Sequence, residues 1–245
     1  MTVVSAVVLV ALPAVVSTAS SPPSAPGRLV VVQAVPGASY DVLVDGDVKQ
    51  RDVEVGSVLG PFVLDPGKHD VAFAADGGEP VTASVEVRAG VDSDLVLHLP
   101  AQAGGEPVAD VYRVPEGPLS PGMARVLIAH TATVPPADVR VDGQTVFEDV
   151  ANGEFAVADL PAGPHTAEIL PAGSTRDPIL GPVKVDLAAG TVTMVYAVGT
   201  PTDGSMNVIT HVESVPTTRE PRPGRIPTGS AGLLRQAIVV DFGPS

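Results

Sequence analysis

The sequence predicts an all-β protein made of two tandem immunoglobulin-like β-sandwich domains. Apolar residues alternate with polar ones over short segments, as Val139 and Val141 do with Asp138, Arg140 and Asp142. Turn residues are abundant, with 25 Gly and 26 Pro among 245 residues. A unit of about 95 residues also occurs twice, which suits two complete domains better than a solenoid of short repeats.

The repeat is clearest in the first half of each unit. Arg28–Val32 aligns with Arg125–Ala129, and Asp41–Gly46 aligns with Asp138–Gly143 at the same spacing. Both Asp-Gly steps are typical of tight hairpin turns, because Asp and Gly tolerate a positive φ. We therefore expect seven or eight short strands in each unit, and we expect each unit to fold alone.

The chain outside the repeats has a different composition. The apolar run Val3–Val16 is too short for a spanning helix and is followed by small residues at Ser17–Ala19, as in a secretory signal peptide. We divide the chain into a signal peptide (1–19), a linker (20–27), a first β-sandwich repeat (28–114), a linker (115–122), a second repeat (123–214) and a disordered tail (215–245).

The tail offers two weaker signals. Ile226–Gly229 partly matches a Leu-Pro-x-Thr-Gly sorting signal, but the apolar residues after it are too few to span a membrane. Wall attachment therefore stands as an alternative to a plain disordered tail. Gln236–Phe242 is apolar enough to be a candidate edge strand.

Charge and composition exclude several classes of partner and site. The chain has 28 acidic and 14 basic side chains and a net charge of −14, so it repels nucleic acid. The absence of Cys excludes disulfides, thiolate metal sites and thiol nucleophiles. Trp is absent and aromatic residues are 3%, which removes the usual platforms for stacking on sugars. Phe73 and Tyr196 lie in apolar strands and are expected in the core.

The histidines give no catalytic, cofactor-binding or metal-binding residue, and we predict none. The five residues His69, His98, His130, His165 and His211 lack the spacing of a zinc site. His69 and His165 are equivalent in the two repeats, each just after a turn, and are expected to support the start of a strand. His130, at the end of an opening strand, is expected to stabilise the next turn.

The acidic residues of the hairpins are candidate calcium ligands by their chemistry. They are Asp41, Asp45, Asp47, Asp138 and Asp142. Strand alternation places them on one solvent face, where charge keeps the sheet soluble. The Cα atoms of Asp138 and Asp142 are expected about 13 Å apart, which is too far to share one ion. The sequence therefore predicts no metal site.

Three stretches of the second unit follow one another in order: Ala124–Gly143, Leu160–Gly163 with Pro171–Gly173, and Val185–Gly199. Through these stretches the second unit resembles the bacterial extracytoplasmic family DUF4397 over nearly its whole length. The first unit departs more, since Gln33 stands where the second unit has His130, and it is interpreted as a degenerate copy.

The resemblance implies a secreted or surface-attached β-sandwich module, and it brings no catalytic residues. We expect a non-enzymatic, secreted or cell-wall-associated module of the bacterial envelope that acts as a scaffold or binds protein. Its partner would be an envelope or extracellular protein of unknown identity, without cofactor or nucleic acid, and the mature chain would not span a membrane. The alternative is a carbohydrate-binding accessory module with a polysaccharide partner, which would need two or more exposed, coplanar aromatic rings.

Overall fold

The computed structural model describes residues 24–214, so the predicted signal peptide and tail lie outside the described residues. Within this range no helix is long and apolar enough to cross a membrane. The secondary structure consists of strands: β1 Gly27–Gln33, β2 Tyr40–Val44, β3 Asp47–Val53, β4 Val58–Leu64, β5 Gly67–Ala74, β6 Val81–Val87, β7 Asp92–His98, β8 Val108–Arg113, β9 Met123–His130, β10 Ala137–Val141, β11 Gln144–Val150, β12 Phe155–Pro161, β13 Gly163–Pro171, β14 Leu180–Leu187, β15 Thr191–Val198 and β16 Asn207–Ser214.

Each unit contains eight strands in two four-stranded sheets. In the first unit β4-β1-β7-β8 form the inner sheet and β3-β2-β5-β6 form the outer sheet. In the second unit β12-β9-β15-β16 form the inner sheet and β11-β10-β13-β14 form the outer sheet. The strand order is the same once the numbers are shifted by eight. The predicted pair of all-β sandwiches is confirmed.

The immunoglobulin-like strand order is not confirmed. In an immunoglobulin constant domain the first strand lies beside the second, whereas β1 lies between β4 and β7. The pairing of β1 with β7 is parallel and runs from Arg28 to Gln33. The second unit repeats this parallel pairing between β9 and β15. Each inner sheet therefore joins the beginning of its unit to the end.

Three large hydrophobic cores lie between successive pairs of the four sheets. The first core, with Leu29, Val42 and Phe73, lies between the outer and inner sheets of the first unit. A corresponding core of the second unit includes Val126 and Phe147. The remaining core lies between the two inner sheets and joins the units.

This shared core takes residues from both units. Its members from the first unit are Val30, Val32, Ala34, Val96 and Tyr112, and those from the second are Leu127, Ala129, Val192, Met194, Tyr196, Val198 and Ile209. Alternate residues of β1 thus face two different cores, which is why its run of apolar residues has no polar face. Both inner sheets are covered on both sides, and this revises the expectation that each unit folds alone.

Candidate functional site

Asp45 and His69 form a clamp across the outer sheet of the first unit. The Nδ1 of His69 lies 2.7 Å from an Asp45 carboxylate oxygen, and its Nε2 lies 2.8 Å from the carbonyl oxygen of Asp65. The other Asp45 oxygen accepts a 3.0 Å hydrogen bond from the Asp70 N–H. Hydrogen bonds to the Asp45 carboxylate and the Asp65 carbonyl raise the pKa of His69. Asp45 has a φ of 52°, as the predicted Asp-Gly hairpin requires.

The second unit repeats the clamp with Asp142 and His165. The His165 Nδ1 lies 2.7 Å from Asp142, and its Nε2 lies 2.7 Å from the Pro161 carbonyl oxygen. The Thr166 N–H donates to the second Asp142 oxygen at 2.9 Å. These contacts with Pro161 and Asp142 raise the pKa of His165. Both histidines lie near the start of a strand, where they are expected to act, and each connects that strand to a hairpin aspartate and to a carbonyl that precedes it in the chain.

Asp138 does not lie on the solvent face where strand alternation placed it. Only 8% of its surface is exposed, and its two carboxylate oxygens accept 2.8 Å hydrogen bonds from the N–H groups of Asp149 and Gly173. In the first unit, Asp41 accepts a hydrogen bond from the Asp52 N–H at 3.0 Å. Asp52 and Asp149 both have positive φ, and the register shifts nearby. A bulge inserts a residue into the neighbouring edge strand, and the backbone of that strand covers the aspartate and removes it from solvent.

His130 and Gln33 occupy equivalent strand ends and hold the next turn differently. The Gln33 amide nitrogen donates to the carbonyls of Val35 and Ala38, at 3.2 and 2.7 Å, and its oxygen accepts from the Val35 N–H. The His130 Nε2 lies 3.3 Å from the Pro135 carbonyl oxygen. The His130 Nδ1 is buried without a hydrogen-bond partner among the described residues. Burial lowers the pKa of His130.

Polar groups cross the shared core at a buried carboxylate. Asp94 of β7 is 1% exposed and accepts a 2.6 Å hydrogen bond from the Tyr196 hydroxyl. The same oxygen lies 3.0 Å from the His211 Nδ1. Burial raises the pKa of Tyr196 well above its usual value, so Tyr196 stays a neutral donor. The hydrogen bond to Asp94 raises the pKa of His211, which favours a cation beside the buried carboxylate.

The contacts continue from His211 towards the surface. The His211 Nε2 lies 3.1 Å from Glu213, and Glu213 accepts a 2.7 Å hydrogen bond from Arg28 of the first unit. Arg28 also donates to Asp92 through its Nε at 2.9 Å. We call this set the interface network: Arg28, Asp92, Asp94, Tyr196, His211 and Glu213.

A second group of polar contacts joins the units at the opposite end of the inner strands. Within the first unit, His98 is fully buried at this end, with its Nε2 2.9 Å from an Asp110 oxygen. The Asn152 side chain donates to the Leu99 carbonyl of the first unit at 3.2 Å. The Thr133 hydroxyl donates to the Pro100 carbonyl at 3.0 Å. Polar contacts therefore join the two units at both ends of the inner strands, in addition to the shared core.

A cavity of about 410 Å³ lies between the units beside Arg28. Its lining combines the carboxylates of Asp92, Glu116 and Glu213 with the apolar side chains of Val114 and Val192. Arg28 pairs with two of these three carboxylates. The charges of Arg28, Asp92 and Glu213 are therefore paired within the protein. The Arg28–Glu213 pair connects the two sandwiches at this cavity.

The remaining candidate residues have structural surroundings or lie at the surface. Asp47 is exposed and pairs with Lys49 at 3.4 Å. In residues 24–214 no three His, Cys, Asp or Glu side chains are grouped so that they could hold a metal ion. Phe73 and Tyr196 are buried, as predicted, and of the described aromatic side chains only Phe155 is exposed.

The interface network is not among the features predicted from the sequence. One signal points towards it, because Asp94 directly precedes the apolar run Leu95–Leu97 in β7. A run that is apolar on both faces is typical of a buried strand, and an acid buried beside it needs hydrogen-bond partners. The partners, Tyr196 and His211, lie more than 100 residues away and have no local signal.

The family described as Domain of unknown function (DUF4397) matches residues 27–137 and 128–222. The chain belongs to this family. The two matches confirm the resemblance and the two tandem copies, so the Asp–His clamps and the interface network are features of a paired DUF4397 chain.

Two further comparisons add little. No curated protein matches the chain. A crystal structure described as that of a "putative cell adhesion protein" from Bacteroides eggerthii is similar at 10% identity, covering 80% of this chain and 98% of its own. Its TM-score of 0.23 is too low to indicate a shared fold or function.

Proposed function

We propose that this DUF4397 chain is a non-enzymatic, secreted or cell-surface module of the bacterial envelope that acts as a scaffold or binds protein. The observation that carries the proposal is the shared core between the two inner sheets. It makes the two repeats one stack of four sheets, which presents edges and loops at fixed positions. Fixed edges and loops are where β-sandwich modules bind extended protein segments.

The contacts of the ionisable residues support this proposal. His69 and His165 are held between a carboxylate and a carbonyl. Asp94 and His211 join the units across the shared core. These side chains stabilise turns and an interface, which is the pattern of a structural module.

The carbohydrate-binding alternative receives less support from the aromatic residues. Stacking on a sugar needs an accessible ring face. Phe155 is 52% exposed, but its ring packs edge-on against Tyr112 at a centroid distance of 6.0 Å. A pair of exposed, coplanar rings is not present among the described aromatic residues.

The test uses the full chain and the envelope of the cells that produce it. We would first fractionate these cells and map both ends of the mature protein by mass spectrometry. A mature chain that begins near Ser20, in the wall or the medium, is expected. Met1 retained on a cytoplasmic chain would contradict the localisation.

Binding is then measured on isolated envelopes treated either with protease or with periodate. Loss of binding after protease treatment is the expected result, because the partner is a protein. Loss after periodate alone would favour the polysaccharide alternative. An absence of binding to untreated envelopes would contradict the protein-binding role.

A further inference from the structure

The second sandwich is open along one side, between β14 and β16. An apolar furrow of about 50 Å³ runs there, with Val183, Val185, Val195 and Val208 in its walls. Beyond its end, Val212 of β16 is 54% exposed. A furrow with almost wholly apolar walls leaves hydrophobic surface in water, and covering it would be favourable.

The first unit shows what closes the corresponding side. There β6 and β8 pack against each other, and Ala83 of β6 and Ala109 of β8 are partly buried against the core of that unit. By strand register, Val183 and Val208 occupy the equivalent positions in the second unit. Larger side chains at both positions hold β14 and β16 apart, so the furrow is built by sequence differences between the repeats.

The two strands beside the furrow are both sheet edges. Each has one hydrogen-bonded neighbour, β13 for β14 and β15 for β16. Pro182 lies within β14 and has no N–H to donate, which makes β14 a poor template for a further strand. β16, Asn207–Ser214, contains no proline and offers its outer backbone groups.

We propose that Gln236–Phe242 of this chain adds to the free edge of β16 and covers the furrow. This segment contains four consecutive apolar residues, Ala237–Val240, of which three are β-branched, and in a strand Ile238 and Val240 would share one face. Residues 215–235 connect it to Ser214, where β16 ends. They reach on the order of 70 Å when extended, ample to return along a strand of eight residues.

The first experiment measures amide hydrogen exchange in β16 of the full chain. Ile238→Asp with Val240→Asp should make the β16 amides exchange at least tenfold faster, because charged side chains will not enter the furrow. The matched control, Thr217→Asp with Thr218→Asp, adds the same charge to the connecting segment and should leave the rates unchanged. Equal rates in the wild type and the Ile238/Val240 variant would overturn the proposal.

The second experiment uses the absence of cysteine from the chain. Val212→Cys with Val240→Cys should form a disulfide within one chain. The control pair, Val63→Cys with Val240→Cys, places the first cysteine at a valine of the other unit that is even more exposed than Val212, and it should stay reduced. A disulfide that joins two chains would assign the furrow to a second copy, and no disulfide in either pair would also overturn the proposal.

Discussion

The two units have the same eight-strand topology and the same Asp–His clamp, but they differ at their inner sheets and their open sides. At equivalent strand ends, Gln33 makes three hydrogen bonds to its turn, whereas His130 leaves one ring nitrogen unpaired among the described residues. On the open side, alanines of the first unit are replaced by Val183 and Val208.

The difference shows which parts of the repeat are needed by any single sandwich. Hairpin clamps such as Asp142–His165 recur because each sandwich needs its turns. Asp94 and Tyr196 have no counterpart pair, because a residue at the shared core has to match the other unit. The hairpin clamps of the outer sheets are therefore the same in both units, whereas the inner sheets differ where they face each other.

The largest expected effect comes from separating the units. Residues 123–214 alone would expose seven shared-core side chains, among them Leu127, Met194 and Tyr196. At about 1.5–3 kcal/mol each, the loss is on the order of 10 kcal/mol, comparable to the whole stability of a domain. We expect this fragment to lose its cooperative thermal transition, measured by circular dichroism. A sharp melt near that of the full chain would show that the units are independent.

Removing the buried carboxylate of the interface network should be the next largest effect. Asp94→Ala leaves the Tyr196 hydroxyl and the His211 Nδ1 without their acceptor in the shared core. We expect a loss of about 3–5 kcal/mol in the free energy of unfolding, measured with urea. Asp92→Ala is the control, because that carboxylate is partly exposed and should cost at most about 1 kcal/mol.

A backbone prediction compares the two outer sheets directly. Gly67 and Gly163 have φ values of 146° and 126°, and a Cβ at either position would meet no atom within 4 Å. Gly67→Val and Gly163→Val should therefore each cost about 1–3 kcal/mol through backbone strain alone. Ala172→Val, at an exposed turn, serves as the control. Unequal losses in the two units would show that the turns are not equivalent.

The pH dependence separates the interface from the clamps. His211 has a raised pKa, so its stabilising charge is fully present below its unfolded pKa of about 6.5 and is lost as the pH rises through the folded pKa. The difference in melting temperature between the wild type and His211→Gln should shrink over that range. His165→Gln should give a smaller change of the same sign, because the Asp142 side chain is half exposed. A constant difference for His211→Gln would contradict the charged state.

The smallest expected effect comes from giving the second unit the residue of the first. His130→Gln should change the stability at neutral pH by less than about 1 kcal/mol. It should improve stability in acid, because the buried, neutral His130 costs stability as the pH falls below 6.5 towards its lowered pKa. Melting temperatures at pH 5 and pH 8 test this. An equal shift at both values would mean that His130 does not resist protonation.

Much of the fold follows from local signals in the sequence. Alternation in Val139 and Val141, the Asp-Gly hairpins and the repeat itself are enough to predict two sandwiches. The parallel pairing of β1 with β7 is not predictable in this way, since it joins Arg28 to Asp92 across a whole unit. The repeated Asp-Gly turns and the equivalent histidines, His69 and His165, mark the residues of the clamps, but the partners of Asp94 depend on long-range packing.

The parallel pairing of first and seventh strands also governs when the protein can fold. Arg28 contacts Asp92, which lies 64 residues later in the chain, and Asp94 contacts Tyr196, which lies 102 residues later. Such high contact order slows folding, because each long loop must close before its contacts stabilise it. A growing chain therefore has no complete inner sheet until most of a unit has been made, and no shared core until the second unit follows. Folding of residues 24–214 can therefore be completed only after β15 and β16 have been synthesised.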